Sequence, residues 1–228
     1  MGPVQSARDH ITGSIPAADR AAPGGRAGRP RSARIDTAVL DATFALLGEV
    51  GYVRLTLEEV ARRAGTTKPA IYRRWPTRQR LVLAALARHL GEVNVPDTGC
   101  TMCDLGECLS LFLDAFRQMP PGVLGPLLAE SAAEPELHAQ FMTSLFDPPR
   151  AAVEQTLSRA VARGDLRADL DLALTVDMIA SLVHYRVLFG HAPTDDAEIE
   201  RAVETLLRGI ATDYPSLLAR SLAHPEHD

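Results

Sequence analysis

Apolar residues recur three and four positions apart along most of this chain, and strand-like alternation of apolar and polar residues is scarce. This periodicity predicts an all-α fold. A first helix is predicted over about 32–50, with Ile35, Val39 and Leu46 on its apolar side, ending before Gly51. Later helices are predicted over about 77–91, 104–118, 124–128, 135–164 with a break at Pro148-Pro149, 169–189 and 195–212.

Between the first two long helices, the stretch 56–75 predicts two short helices joined by a tight turn. Thr56 precedes an apolar-periodic run and is followed three residues later by Glu59, which is the spacing of a capping box. Gly65 permits the left-handed backbone conformation that ends a helix. Thr67 is placed to cap the second short helix.

The second short helix, about 68–75, is too short to be stable alone, so Ile71 and Trp75 are predicted to anchor it on its neighbours. Hydroxyls, a phenol and cations then remain outward near its N-terminus, where exposed N–H groups favour negative charge. A helix–turn–helix that presents this end to the major groove fits the pattern. The alternative is an ordinary helical corner with a solvated basic face. The outward residues are Thr66, Thr67, Lys68, Tyr72, Arg73 and Arg74.

The segment from about Arg34 to Leu90 resembles the DNA-binding domain of the TetR family of bacterial transcriptional regulators. The residues that carry the resemblance are TLEEVARRAG followed by TTKPAIYRRWPTRQRLVLAAL. The resemblance implies that Thr56 holds a phosphate and that the turn and second helix contact DNA. Arg73, Arg74 and Trp75 depart from the common pattern, as does Pro69, which leaves the operator sequence open. The predicted DNA-binding residues are Thr56, Thr66, Thr67, Lys68, Pro69, Ala70, Tyr72, Arg73, Arg74, Arg78, Arg34, Arg31 and Arg29.

Charge is divided unevenly along the 228 residues, whose net charge is −5. Residues 1–90 hold 15 Lys and Arg against 7 Asp and Glu, whereas residues 91–228 hold 9 against 22. Only the N-terminal third is therefore suited to a polyanion. Residues 1–30 predict a disordered basic arm, and Gly28-Arg29-Pro30 resembles the core of an AT-hook. Minor-groove contact and a flexible non-specific tail are both compatible with this arm.

The chain turns polar between Asn94 and Cys103, which predicts a domain boundary there. Cys100, Cys103 and Cys108 follow it with C-x2-C-x4-C spacing. Three cysteines argue against a disulfide framework, and a thiolate metal site needs about four ligands. Structural cysteines are the favoured interpretation, with a metal or redox sensor as the alternative, and no metal or cofactor is assigned.

The resemblance divides the chain into a helix–turn–helix domain over 31–92 and a helical effector-binding and dimerisation domain over 104–222. The segment HYRVLFGHAPTDDAEIERAVETLLRG, which contains Tyr185 and Arg186, is similar to the C-terminal domains of a TetR subfamily. Predicted effector-pocket residues are Phe112, Phe116, Met119, Leu128, Phe141, Met142, Leu145 and His184, with plain core packing as the alternative. Predicted dimer-interface residues are Ile179, Val183, Val187, Ile199, Val203, Leu206, Leu207 and Ile210.

No Gly-rich phosphate loop, nucleophile elbow or H-E-x-x-H motif occurs, so an enzyme is not expected. No apolar run reaches the length of a membrane span, and a cytoplasmic location is expected. The leading hypothesis is a homodimeric repressor that binds palindromic double-stranded DNA and is released by a small apolar or aromatic effector. The alternatives are an effector-independent or activating DNA binder, or a cysteine-based sensor.

Overall fold

A computed structural model describes residues 28–223, with side chains described from residue 33 onward, and these residues form helices and no strand. The all-α prediction is therefore confirmed. Residues 1–27 of the arm predicted over 1–30 lie outside the described residues. The helices are α1 Gly28–Arg54, α2 Leu57–Arg63, α3 Lys68–Tyr72, α4 Arg78–Leu90, α5 Thr101–Gln118, α6 Leu124–Ala132, α7 Pro135–Phe141, α8 Asp147–Ala162, α9 Leu172–Phe189, α10 Asp196–Ile210 and α11 Tyr214–Leu222, with a π-helical turn at Met142–Phe146.

The first helix differs from its prediction at both ends. It begins at Gly28, so Gly28-Arg29-Pro30 lies in helical backbone instead of the extended arm expected from the sequence. Proline is compatible with this placement because the first turn of a helix needs no N–H donor at that position. At the other end, Gly51 interrupts the helix with a φ of 76°, a conformation that glycine adopts without strain. The predicted stop before Gly51 thus corresponds to a sharp break and one further turn.

The described residues form two hydrophobic cores. The division between these cores does not fall in the linker, by which we mean residues 91–100 between α4 and α5. The first core lies among α1–α4, which we call the head, but it also takes buried side chains from α6, α7 and the π-helical turn. Val123, Leu127 and Leu137 are fully buried there. The second core lies among α5, α8, α9, α10 and α11, which we call the body. The segment α6–α7 is therefore packed as a platform under the head.

The predicted break in the long helix after Pro135 lies one turn before the prolines. The helix widens into the π-helical turn Met142–Phe146 and then restarts as α8. Pro148 and Pro149 occupy the first turn of α8, where their missing N–H groups cost little. The sequence identified the break but not its place.

Helix α9 is apolar on two sides. Its inner side, which includes Ile179 and Val183, is buried in the second core. Its outer side leaves apolar side chains 57–71% exposed, and we call this side the α9 outer face. By length and composition α9 is also the one helix among residues 28–223 that could cross a membrane, with 28% of it buried; a single such helix is weak evidence of a span. The α9 outer face consists of Leu174, Met178, Tyr185, Leu188 and Phe189.

Four of the eight predicted dimer-interface residues lie inside the protomer, and the other four are half-buried. Ile179, Val183, Val203 and Leu207 are at most 6% exposed and pack inside the protomer. Val187, Ile199, Leu206 and Ile210 are half-buried against the same core. The period of the sequence marked apolar positions correctly, but period alone does not tell the inner side of an all-apolar helix from its outer side.

The expectation against a disulfide is also overturned. Cys100 and Cys103 are joined by a disulfide at the start of α5. Cys100 caps the helix and Cys103 lies three residues further on, so the first helical turn brings their sulfurs together. Cys108 is free and fully buried, and burial raises the pKa of its thiol to about 12. Residues 28–223 contain no group of three or more His, Cys, Asp and Glu placed to hold a metal ion.

Candidate nucleic-acid interface

The predicted helix–turn–helix is formed by α2 and α3. The hydroxyl of Thr56 accepts a hydrogen bond from the Glu59 N–H at 3.4 Å, and that of Thr67 accepts from the Ala70 N–H at 3.4 Å. Gly65 takes a φ of 63° in the turn between them. Both caps and the turn agree with the sequence prediction. The reciprocal half of the capping box differs, because the Glu59 carboxylate accepts from the Arg62 guanidinium instead.

Helix α3 is held by one buried side chain and a neighbour beyond its C-terminus. Ile71 is 1% exposed in the head core, and Trp75 packs partly buried against the same core. The helix spans only Lys68–Tyr72, shorter than predicted, and a turn follows it. Such a short helix depends on this anchoring for its position.

The opposite side of the motif faces outward, and we call it the recognition surface. Thr67 and Pro69 are exposed there, and Tyr72 is 43% exposed. Thr56 and Arg73 are also exposed, whereas Thr66, Lys68 and Ala70 are half-buried. The structure therefore brings these eight predicted DNA-binding residues to one end of the head.

Lys68 already has a partner on the recognition surface. Its ammonium forms an ion pair with the Glu58 carboxylate of α2, and this hydrogen bond raises the pKa of Lys68. The same ammonium lies 5.8 Å from the ring centre of Tyr72, within range of a cation–π contact. A polyanion that takes up Lys68 has to replace the Glu58 carboxylate.

Arg74 and Arg78, predicted to contact DNA, have partners inside the chain. Arg74 forms an ion pair with Asp36 of α1 and donates to the Ala70 carbonyl at 3.3 Å. Arg78 forms an ion pair with Glu130 of α6 at 3.1 Å. Both guanidinium groups thus connect the motif to neighbouring helices, because their positions in the turn after α3 and in the first turn of α4 face those helices.

The predicted arm residues are only partly described. Arg34 is exposed near the start of α1. Arg29 and Arg31 lie in helical backbone, and their side chains are outside the described part of the structure. Their contact with DNA stays a prediction.

Sequence reasoning missed a polar cluster that joins the head to its platform, which we call the Glu130 cluster. The Glu130 carboxylate accepts hydrogen bonds from the Tyr52 hydroxyl and the Gln79 amide, each at 2.6 Å, besides its contact with Arg78. The Arg78 guanidinium also lies 4.5 Å from the centre of the Tyr52 ring. The contacts in the cluster join residues 26 to 78 positions apart in sequence, so no local pattern signals the cluster.

The Glu130 cluster perturbs two ionisations. Burial, and then the hydrogen bond to Glu130, raise the pKa of the Tyr52 hydroxyl above its ordinary range. Burial by itself raises the pKa of Glu130, but the hydrogen bonds from Tyr52 and Gln79 and the charge of Arg78 outweigh burial and lower it. Tyr52 therefore stays a neutral donor and Glu130 a charged acceptor at neutral pH.

Two protein-family models match the sequence of this chain. A model for bacterial regulatory proteins of the tetR family matches residues 39–85, which include α2 and α3. A model for the tetracyclin repressor-like C-terminal domain matches residues 95–206. A DNA-binding transcriptional repressor TetR of Mycobacteroides abscessus is 32% identical over 182 residues, which cover 79% of this chain and 93% of that protein. This chain belongs to the TetR family.

Other TetR-family proteins support the assignment. The regulator AqdR of Rhodococcus erythropolis is 34% identical over 187 residues, covering 81% of this chain and 89% of that protein. The crystal structure of the TetR-family transcription regulator SCO0332 superposes with a TM-score of 0.62 at 30% identity, covering 77% of this chain and 98% of that one. The chain is accordingly a helix–turn–helix DNA-binding transcriptional regulator and not an enzyme.

The predicted effector-pocket residues of this TetR-family chain are distributed over both cores. Met119, Phe141, Met142 and Leu145 pack in or against the head core. Leu128 is 41% exposed on α6 and lies apart from this buried group.

The remaining predicted pocket residues, Phe112, Phe116 and His184, form an aromatic cluster with Phe146, which the sequence did not single out. Phe116 and Phe146 place their ring centres 4.9 and 5.3 Å from the imidazole, and Phe112 lies at 5.9 Å. Burial lowers the pKa of His184, so the ring is neutral at neutral pH. These side chains pack against one another as a core would.

Proposed function

We propose that this TetR-family regulator is a cytoplasmic, homodimeric repressor that binds a palindromic operator in double-stranded DNA and is released by a small effector. The observation that carries the proposal is the outward-facing first turn of α3, capped by Thr67 and flanked by Lys68 and Tyr72. The similarity to a transcriptional repressor of Mycobacteroides abscessus supports repression as the outcome of binding.

Base reading is assigned to the beginning of α3. Thr67 and Lys68 occupy the cap and first residue of the helix, the end that enters a major groove in helix–turn–helix complexes. Tyr72, one turn further on, and Thr56 at the cap of α2 are placed to contact phosphates on either side. Lys68 exchanges its Glu58 partner for DNA, which makes binding sensitive to salt.

A second copy of the chain is proposed to cover the α9 outer face. A row of apolar side chains 57–71% exposed is unusual on a monomer and typical of an interface between chains. Beside it, a groove of about 600 Å³ opens between α9 and α10, with Leu109 and Ile179 at its base. Two-fold pairing through this face sets two copies of α3 against the two halves of a palindrome.

The effector is proposed to bind where the head's last helix meets the body. A cavity of about 210 Å³ lies there, bounded by the end of α4, the linker, α5 and the π-helical turn. Leu111, Ala115 and Leu145 give it an apolar lining, and Asn94, Gln118 and the carboxylates of Glu92 and Asp114 add polar groups at its edge. An apolar or aromatic molecule with few polar groups suits such a site. Because Leu90 of α4 also lines the cavity, an occupant contacts the last helix of the head.

Selection of bound fragments from a random DNA pool tests the DNA-binding proposal. We expect an enriched palindromic sequence, bound by two protein chains in sedimentation analysis. A pool that shows no enrichment, or a single chain on each selected site, contradicts it.

A panel of small aromatic compounds, followed by thermal shift and by loss of binding to the selected site, tests the effector site. Ala115→Phe fills the cavity and is expected to abolish the response while DNA binding persists. Leu128→Phe, on the exposed side of α6, serves as the matched control and should respond normally. Equal responses from both variants place the effector elsewhere.

A further inference from the structure

The Cys100–Cys103 disulfide lies where the linker, α5 and α11 meet. Cys100 caps α5, and its sulfur accepts a hydrogen bond from the Cys103 N–H at 3.3 Å. The same sulfur lies 3.6 Å from the hydroxyl of Ser221, a buried residue of the C-terminal helix α11. The Cys100 N–H donates to the Thr98 hydroxyl at 3.2 Å, at the end of the linker from α4. The disulfide therefore lies at the point where the linker, α5 and α11 contact one another.

The linker end is fixed through the same turn. Asp104, 1% exposed in α5, accepts hydrogen bonds from the Thr98 N–H at 2.7 Å and the Thr98 hydroxyl at 2.8 Å. Arg163, directly after α8, lies 3.5 Å from the other Asp104 oxygen. The Pro96 carbonyl accepts from the Thr156 hydroxyl of α8 at 2.9 Å. A shift of the first turn of α5 is therefore expected to displace the linker, which connects α5 to the head.

The two sulfurs differ in access. Cys100 is 7% exposed, whereas Cys103 is half-buried and faces solvent in part. An external thiolate therefore meets the Cys103 sulfur first, and Cys100 is the leaving group. As a thiolate, Cys100 is stabilised by the Cys103 N–H and by the positive end of the α5 dipole. This arrangement favours attack at one sulfur and departure of the other.

We propose that Cys100 and Cys103 form a reversible thiol–disulfide site that exchanges with low-molecular-weight thiols and disulfides, and that its state sets the docking of the linker and α11. A small thiolate attacks Cys103, the protein S–S bond breaks, and the electron pair passes to Cys100. A second small thiol attacks the mixed disulfide, releasing Cys103 as a thiol and the small molecule as its disulfide. The protein gains two electrons and two protons, and two small thiols lose them; oxidation is the reverse.

As an input to transcription, this site rests on the proposed DNA-binding function. Oxidised and reduced protein are expected to differ in affinity for a selected DNA site by about fivefold or more, the lower end of typical coupling between sites. The exchange chemistry itself needs no DNA and can be measured separately.

The test equilibrates the full chain with graded ratios of reduced to oxidised glutathione and traps free thiols by alkylation before mass spectrometry. We expect Cys100 and Cys103 to titrate together as a two-electron couple. Cys108 should stay unlabelled until the protein is unfolded, because its thiol is buried. Hydrogen exchange over 91–99 and 214–222 should be faster in the reduced form.

Matched variants separate the possible results. Cys103→Ser should remove the titration and the difference in hydrogen exchange, whereas Cys108→Ser should retain both. Thiols that ignore the glutathione ratio, or exchange rates over 91–99 and 214–222 that do not depend on it, overturn the proposed site. Equal DNA affinity in both states overturns its role as an input. Failure of both states to bind any selected DNA refutes the proposed function and leaves the titration to decide the site.

Discussion

On the recognition surface, Lys68 already pairs with an acid of the same chain, and Arg62 and Arg63 beside it on α2 do likewise. On the α9 outer face, the apolar side chains stay 57–71% exposed. The first surface exchanges one ionic partner for another when it binds, so its net gain is small and depends on salt. The second removes apolar area from water, which is a larger and less salt-dependent gain. The proposed assembly and the proposed DNA recognition therefore rest on different forces.

The largest effect is expected from substitutions that place carboxylates on the α9 outer face. Met178→Asp combined with Leu188→Asp should convert the proposed dimer to a monomer, because two buried carboxylates lack partners there. Affinity for a palindromic site should fall about 100-fold or more as the two half-sites lose their linkage. Sedimentation equilibrium and fluorescence anisotropy measure both effects. Leu222→Asp, at a leucine on α11 that is 74% exposed, should change neither; a dimer that survives the double substitution refutes the interface.

Removal of the recognition cation should have the next largest effect. Lys68→Ala is expected to cost about 1–3 kcal/mol of discrimination between the selected site and random DNA, if the ammonium reads a base edge. Competition binding with both DNAs measures it. Arg63→Ala, whose guanidinium pairs with Glu49, should weaken both DNAs alike. Equal losses on both DNAs for Lys68→Ala contradict base reading.

The Glu130 cluster tests how firmly the head is fixed to its platform. Glu130→Gln should lower the free energy of unfolding by about 1 kcal/mol or less at pH 7, because the carboxylate is partly exposed. The pKa of Glu130 is lowered in the folded state, so its contribution exists above the unfolded pKa and disappears as pH falls through the folded one. Urea unfolding of wild type and variant should therefore converge in acid.

Glu136→Gln is the control for that comparison, because Glu136 is 85% exposed and pairs only with Arg80. A pH-independent difference between wild type and Glu130→Gln would show that the effect arises from packing and not from ionisation.

The smallest effect on DNA affinity is expected from removal of the carboxylate that pairs with Lys68. Glu58→Gln removes the acid that competes with DNA for Lys68, so affinity should rise a few-fold at low salt and less at high salt. Glu49→Gln, the partner of Arg63, supplies the same change of charge on a neighbouring pair. An identical gain from both substitutions attributes the effect to net charge alone.

Local features of the head could be predicted because its decisive interactions are short-range. Thr56 and Thr67 cap helices three residues away, and Gly65 supplies a backbone conformation of its own. The roles of Arg74 and Arg78 could not be predicted in this way, since their partners lie 38 and 52 positions away. The same limit hid the Glu130 cluster.

The sequence by itself determined the all-α class, the caps and turn of the helix–turn–helix and the uneven charge, since these follow from spacing and residue type. Only the tertiary structure decided which side of α9 is covered, where α6–α7 packs and that Cys100 joins Cys103 beside Ser221. An all-apolar helix carries no pattern that marks its inner side. Contacts between distant segments are set by how the helices pack together.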